Sequence, residues 1–265
     1  MNKRLANSLL TQLVALVVCV FVVHVFYISV VGPNAEVVLE ERAARLASSE
    51  PFIPEQSVWV ILRDIYQETC IILMFWAFAI MGLKAWNYLS EKKILEQDFI
   101  NISEGMRVLP DDARGYMRRI QSMPETMSTR LLPRTVLVAL QRFEATKNIH
   151  NVSESIRSVC ENEANKLDSE LSMIRYIAWA IPSIGFIGTV RGIGEALSQA
   201  YLAVQGDIAG VTESLGVAFN STFVALVVSI IIMLFVHQLQ RAQEQLVIDT
   251  QSWCDENLVR HMQVN

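Results

Sequence analysis

Four long stretches of this chain contain no Lys, Arg, Asp or Glu, and they limit what it can fold into. They run over residues 5–35, 69–83, 176–190 and 214–240. A helix that crosses the hydrocarbon core of a bilayer needs about 20 mostly apolar residues. The first and fourth stretches are long enough, the second continues past Lys84, whose side chain can reach the interface, and the third must include Arg191 and Glu195. The sequence therefore predicts four membrane-spanning helices.

The composition agrees with this prediction, since 52% of the residues are hydrophobic and 18% are charged. The start, Lys3-Arg4 before an apolar run, resembles a signal peptide, but the run is too long and lacks a clear cleavage site. We therefore expect a retained first span. The cysteines, Cys19, Cys70 and two later ones, show no metal-ligand or disulfide spacing, and we expect reduced thiols.

Basic residues indicate the orientation in the membrane. The segment 84–175 holds 14 of the 22 Lys and Arg residues, whereas 32–68 holds three and 201–212 none. Loops rich in Lys and Arg remain on the cytoplasmic side. We therefore expect both termini and the middle segment in the cytoplasm and two loops outside, which in a bacterium means a multi-pass inner-membrane protein.

The predicted organisation has six parts. Residues 1–35 form the first transmembrane helix, 36–66 a periplasmic segment, 67–89 the second transmembrane helix, 90–172 a cytoplasmic helical region, 173–237 the third and fourth transmembrane helices, and 238–265 a cytoplasmic tail helix. Residues 135–181 contain neither Pro nor Gly, which predicts one long helix that continues into the third span. The fold class is all-α, a polytopic membrane protein with four transmembrane helices and long cytoplasmic helical extensions.

Small and polar residues line one face of each of the last two spans. They are Gly185, Thr189, Gly192 and Ala196 on the third, and Ser214, Ala218, Thr222, Ala225 and Ser229 on the fourth. Steps of three and four residues place each set on one helix face. Small side chains let membrane helices approach closely, and hydroxyls hydrogen-bond where lipid is absent. The pattern is typical of an assembled membrane complex and compatible with ion conduction.

The sequence allows two interpretations for several polar residues of these spans. Thr189 and Thr222 either face a shared axis or bond to carbonyls of their own helices. Asn220 either lines a pore or bridges helices. Arg191 and Glu195 lie one helical turn apart, and they either serve a function at the membrane edge or simply pair with each other.

Nothing in the sequence indicates an enzyme. The four histidines, His24, His150, His237 and His261, lie far apart, so no metal site is expected. The glycines at 185–194 belong to an apolar span and follow no strand, which favours helix packing over phosphate binding. We expect no catalytic residues, no cofactor and no nucleic-acid partner.

Two motifs resemble those of the MotA/TolQ/ExbB proton-channel family. Pro182 and the run GFIGTVRGI at 185–193 are similar to that family's proline followed by G-L-(F/L)-G-T-V-x-G-(I/L). The run AFNSTFVALVVSI at 218–230 resembles its next span, A-L-x-x-T-x-x-G-L-x-x-A-I. The resemblance covers roughly residues 171–239. Departures occur at Arg191, Val217 and Ile231, where TolQ-like and ExbB-like members have Trp, Glu and Pro.

The resemblance implies a ring of five copies around two transmembrane helices of a single-span partner similar to MotB, TolR or ExbD. The partner's membrane Asp would carry H⁺ or Na⁺. The resemblance implies that Thr189 and Thr222 line the interior of the ring, on the ion path. From the residue pattern we also expect Asn220 and Ser229 on this path. The expected helix-packing residues are Pro182, Gly185, Gly188, Gly192, Ala218 and Ala225.

The implied function is a ring-forming subunit of an inner-membrane motor that converts ion flow into mechanical work. One alternative is a transporter subunit, although no internal repeat is visible. The other is a non-conducting scaffold or sensor, which would not explain the paired hydroxyl stripes.

Overall fold

A computed structural model describes residues 3–47, 57–97 and 107–264, and every regular element among them is helical. The α-helices are α1 Lys3–Phe26, α2 Gly32–Ala47, α3 Val58–Leu62, α4 Ile65–Leu95, α5 Ala113–Gln121, α6 Glu125–Ser128, α7 Leu131–Thr146, α8 Ile149–Ser198, α9 Ala200–Val204 and α10 Ala209–Asn257. A π-helical turn, Tyr27–Val31, joins α1 to α2, and a 3₁₀ turn, Val259–His261, follows α10. The predicted all-α fold is confirmed.

Four helical segments of the described chain are long and apolar enough to cross a membrane. They are Leu10–Arg42, Ile65–Leu95, Ile149–Ser198 and Ala209–His261. This confirms the predicted polytopic membrane protein with four spans. Parts of the expected periplasmic segment 36–66 and cytoplasmic region 90–172 fall at residues 48–56 and 98–106, outside the described residues.

The helix expected over 135–181 is interrupted once, between α7 and α8. Lys147 has a φ of 51°, in the left-handed region, and its N–H donates to the Phe143 carbonyl, which ends α7. The Asn148 side chain then accepts a hydrogen bond from the His150 N–H at 2.9 Å, which caps the start of α8. The expectation of one unbroken helix was wrong here, because an asparagine cap ends and restarts a helix without Pro or Gly. From Ile149 onward α8 runs for 50 residues with Pro182 inside it.

The chain forms two compact units, and the first comprises residues 1–81 and 173–236. In this unit Val23 of α1 and Tyr27 and Val31 of the π-helical turn form a small apolar cluster. Packed against it are Trp59 and Leu62 of α3 and Ile71 and Ile72 of α4. The indole N–H of Trp76 donates to the Gln12 carbonyl at 2.9 Å. Most side chains on the outer surface of α1 are exposed Val, Leu and Phe, as a lipid solvent requires.

Four residues of the first helical segment, Val23, Tyr27, Val31 and Ala35, are buried at intervals of four. The π-helical turn Tyr27–Val31 lies in the middle of this series. A π turn takes up one more residue than an α turn. The buried face thus continues from α1 into α2 across the turn.

The second unit comprises residues 82–172 and 237–265 and has its own apolar core. Its most deeply buried large side chains include Ile120, Leu132, Leu140, Phe143, Ile156 and Leu258. The end of the chain is fixed to this core, since the Val108 N–H donates to the His261 carbonyl at 2.8 Å and the Gln263 N–H donates to the Val108 carbonyl at 3.1 Å. Helices α5 and α7 and the last turns of α10 thus enclose one water-excluded centre.

We expect Phe143→Ala to destabilise the second unit strongly, because Phe143 has no exposed surface. Truncating a buried Phe typically costs about 3–5 kcal/mol of unfolding free energy. Thermal unfolding of the detergent-purified protein should show a lower transition temperature. The neighbouring exposed Arg142→Ala is the matched control and should unfold close to wild type. Equal transition temperatures for the two variants would contradict the described core.

Candidate functional site

Helices α8 and α10 meet in the first unit along their small residues. Three glycines of α8 lie so close to α10 that a Cβ atom on any of them would overlap it. The nearest side-chain atoms to such a Cβ would be Ala225 Cβ at 2.5 Å from Gly185, Ser221 Cβ at 2.6 Å from Gly188 and Ala218 Cβ at 2.8 Å from Gly192. Only glycine, which has no side chain, permits this separation.

A pair of threonine hydroxyls lies in the middle of this contact. The hydroxyls of Thr189 and Thr222 are hydrogen-bonded to each other across the two helices. Thr189 Oγ1 lies 3.0 Å from the Ala218 carbonyl oxygen and 3.2 Å from that of Gly185, and Thr222 Oγ1 lies 3.1 Å from the same Gly185 oxygen. Both threonines are half-buried. Two hydroxyls hold two hydrogens but four lone pairs, so the pair keeps acceptor capacity after its donors are used.

Ser229 makes a further contact between the helices. Its hydroxyl donates to the Ala178 carbonyl of α8 at 3.0 Å. Ser221 instead donates to the Val217 carbonyl of its own helix at 2.7 Å. The hydroxyl stripe of α10 therefore bonds directly to the backbone of α8 at more than one level.

The structure does not bring Asn220 into this hydroxyl group. Asn220 precedes Thr222 by two residues, which places it about 160° around the helix from Thr222. It is half-buried, and no side-chain hydrogen bond joins it to another described residue. Pro182 is half-buried in α8, three residues before the first close glycine contact.

A polar cavity of about 320 Å³ lies beside the small-residue contact in the first unit. Its charged lining residues are Arg63, Asp64, Arg191, Glu195 and Glu213. Gly192 and Ser214, from the small-residue stripes, also line it. Since Gly192 follows Thr189 by one helical turn, the cavity adjoins the turn that carries the hydroxyl pair.

Charged side chains of this cavity are paired with one another or with Tyr66. Arg191 pairs with Glu195 at 2.9 Å and also donates to the Tyr66 hydroxyl at 3.2 Å. Arg63 pairs with Glu213 at 3.2 Å. Arg191 and Glu195 do pair with each other, but they do so within a larger charged group.

The carboxyl group of Asp64, which lines this cavity, has a raised pKa. Burial raises the pKa of the Asp64 carboxyl above its ordinary value, Arg63 opposes the rise, and Glu213 and Glu195 add to it. The group can therefore hold a proton at a higher pH than an exposed aspartate can.

Sequence reasoning missed most of this cavity. Arg63, Asp64 and Glu213 stand just outside the apolar stretches and form no motif with Arg191. The available signal was that each charge lies at the same end of a predicted span, the end that the orientation rule puts outside. Among the described residues, no three metal-ligating side chains come together.

These features define a polytopic membrane protein whose last two spans pack through glycine and carry a half-buried hydroxyl pair. Residues 127–252 match the MotA/TolQ/ExbB proton channel family. The match covers just under half of the chain and includes both threonines. The resemblance predicted from the two motifs is confirmed. No curated protein matches the chain in a sequence comparison. This match and the four apolar spans support a membrane subunit of the ion-channel type.

We expect alanine to have opposite effects at two glycines of α8. At Gly194 nothing lies within 4 Å of the added Cβ, and Gly→Ala in a helix normally stabilises by about 0.5–1 kcal/mol. At Gly188 the Cβ would meet Ser221, and overpacking typically costs about 1–3 kcal/mol. Thermal stability and particle size in detergent should fall for Gly188→Ala and hold or rise for Gly194→Ala. A Gly188→Ala protein as stable as the Gly194→Ala control would refute the close contact.

Proposed function

We propose that this protein is a ring-forming subunit of an ion-driven motor in the bacterial inner membrane. Ion flow, of H⁺ or in the alternative Na⁺, would pass through a partner's carboxylate and produce mechanical work. The observation that carries the proposal is the half-buried Thr189–Thr222 hydroxyl pair, inside the segment that matches a proton channel family. Thr189, Thr222 and Ser229 are the proposed ion-path residues, and Asn220 the proposed polar neighbour.

The proposed assembly follows from the family. Five copies would surround a single-span partner that resembles MotB, TolR or ExbD and carries one membrane Asp. Phe186 and Val190 of α8 and Phe219 and Phe223 of α10 are exposed on the single chain. These faces are available to lipid, to neighbouring copies or to the partner helix.

The hydroxyl pair can distinguish the two states of a carboxyl group. The Thr189 hydroxyl lies within hydrogen-bond distance of the Gly185 and Ala218 carbonyls, and the Thr222 hydroxyl lies within that distance of the Gly185 carbonyl. Both hydroxyl hydrogens thus have acceptors already, and the pair offers mainly lone pairs to a carboxyl group of the partner. A protonated carboxyl group has an O–H donor and can hydrogen-bond to these lone pairs. A carboxylate has only acceptors, so it needs a donor that the pair does not offer.

The energy that the ion releases is large enough to change the hydrogen bonds of the hydroxyl pair. Turning one hydroxyl away from its carbonyl costs a hydrogen bond, worth about 0.5–1.5 kcal/mol net. One charge that crosses 100 mV releases about 2.3 kcal/mol. The ion gradient can therefore drive the partner between a bound protonated state and a released ionised state.

The polar cavity offers this site an aqueous entrance. Its volume of about 320 Å³ is enough for several waters, and its charges include three acids and two arginines. In the proposed orientation the cavity opens to the periplasm, and Asp64 would take up a proton there. The cavity would then deliver ions to the turn that carries Thr189.

The transporter alternative has less support. Transporters commonly bind substrate where a spanning helix is broken near the middle of the membrane. Here α8 continues through Pro182 and the glycines without a break. A non-conducting scaffold or sensor requires the glycine contact but not the hydroxyl acceptors. Threonine variants that lack the hydroxyls therefore distinguish such a protein from a channel.

The proposed topology can be tested with single cysteines at two exposed residues, Asp207→Cys and Glu125→Cys. Intact spheroplasts should react with a membrane-impermeant thiol reagent at position 207, whereas position 125 should react only after permeabilisation. The unaltered chain is the control, since Cys70, Cys160 and Cys254 are buried and Cys19 is half-buried. Labelling of both positions from the same side would contradict the topology.

The function is tested by the double variant Thr189→Val with Thr222→Val. Valine keeps the threonine shape and removes the hydroxyl, so proton flux through proteoliposomes that contain the copurified partner complex should be lost. Expression and partner copurification should remain, because the glycine contact is unchanged. The thermal transition should fall only modestly, since each lost hydrogen bond is worth about 0.5–1.5 kcal/mol. Thr189→Ser with Thr222→Ser keeps both hydroxyls and should retain flux.

Thr212→Val is the matched control, since that exposed hydroxyl donates to the Ala209 carbonyl of its own helix. Its flux should equal wild type. Normal flux in the Thr189 and Thr222 double valine variant would remove these residues from the ion path and leave them a packing role.

A further inference from the structure

A second cavity, of about 160 Å³, lies within the second unit between α4, the start of α7, α8 and α10. Its charged lining residues are Lys84, Glu91, Arg130, Glu163, Lys166 and Glu170. Three are cations and three are anions, so the lining has no net charge. None of these residues belongs to the hydroxyl site.

The cations of this cavity are already paired with its anions. The pairs are Lys84 with Glu170, Arg130 with Glu91 at 3.4 Å, and Lys166 with Glu163 at 2.8 Å. Arg134 also donates to Glu163 at 2.6 Å. A carboxylate has about four lone-pair sites, so these three keep acceptor capacity beyond their partners. The lining of the cavity therefore keeps acceptor sites that its own donors do not fill.

Gln243 adds an acceptor that has no partner at all among the described residues. Its side chain is 4% exposed, it lines the cavity, and its Oε1 atom makes no hydrogen bond. A buried polar atom without a partner destabilises the fold. Gln243 Oε1 therefore lacks a hydrogen-bond donor, and a ligand that supplies N–H groups would satisfy it.

The turns of α4 that carry Lys84 and Glu91 also carry exposed apolar side chains. Leu83, Trp86 and Leu89 point outward beside Lys84 and Glu91, and Trp86 is 73% exposed. Tryptophan is enriched where a membrane meets water. The cavity thus lies next to lipid at the level of the head groups, where phospholipids are the most abundant source of a charged group.

We propose that this cavity binds the head group of an ethanolamine phospholipid. The primary ammonium would enter the cavity and donate to Gln243 Oε1 and to the carboxylates. The phosphate would remain at the rim near Lys166, which is 57% exposed and has donors to spare. The acyl chains would lie along Leu83 and Trp86. This inference goes beyond the motor proposal and does not depend on it.

The chemistry selects among phospholipids. A choline head group has a quaternary ammonium without N–H donors, and a glycerol head group has no ammonium. A soluble primary amine shares the donors but lacks the chains, so it distinguishes a lipid site from an amine site. Neither choline nor glycerol lipids can satisfy Gln243 as an ammonium does.

The experiment measures binding to the delipidated full-length protein by native mass spectrometry and thermal shift. Phosphatidylethanolamine, phosphatidylcholine and phosphatidylglycerol with identical chains are compared with soluble phosphoethanolamine. Wild type should bind phosphatidylethanolamine about tenfold or more tightly than phosphatidylcholine, as a charge-assisted hydrogen bond allows. Gln243→Leu should lose that preference, and Gln245→Leu, on an exposed position of α10, should keep it.

Gln243→Met, which keeps an unbranched side chain, repeats the test if Gln243→Leu does not fold. Equal affinity of wild type for the ethanolamine and choline lipids would overturn the proposal. So would an unchanged preference in the folded Gln243 variants. A shift by soluble phosphoethanolamine equal to that by the lipid at the same concentration would overturn the lipid assignment.

Discussion

The close approach of α8 to α10 through glycine is the constraint on which the first unit depends. Gly185, Gly188 and Gly192 bring the two backbones to a distance at which any side chain would overlap. Only at this separation can the hydroxyls of Thr189 and Thr222 reach each other and the carbonyls of the opposite helix. In a bilayer, where apolar side chains gain little by leaving lipid, such packing and hydrogen bonds supply the association energy. Glycine spacing thus sets the geometry of the hydroxyls.

The sequence predicted those features that depend on residues close together in the chain. The uncharged stretches identified four spans, and the steps of three and four residues identified the small faces of α8 and α10, because helical periodicity places such residues on one side whatever surrounds them. The break at Lys147 could not be read from Pro or Gly, since it depends on a left-handed residue followed by an asparagine cap. The polar cavity was missed because Asp64, Arg191 and Glu213 are distant in sequence and meet only after the helices pack.

The pairing of Thr189 with Thr222 is the most instructive difference between pattern and structure. Periodicity placed both on small faces, with a shared axis or a bond to their own helix as the two readings. In the structure they bond to each other and to carbonyls of both helices. A hydroxyl can lock two helices together and still expose lone pairs, so packing and ion handling are compatible roles for one residue.

The π-helical turn at Tyr27–Val31 affects how the first helical segment keeps its buried side. In an α-helix, positions four residues apart rotate by about 40° at each step, so a row such as Val23, Tyr27, Val31 and Ala35 would wind around the cylinder. One wider turn absorbs a residue and cancels part of that winding. The turn thus corrects the angular drift of the buried row. Residues spaced four apart can therefore face the same neighbouring helix over a longer segment than in an ideal α-helix.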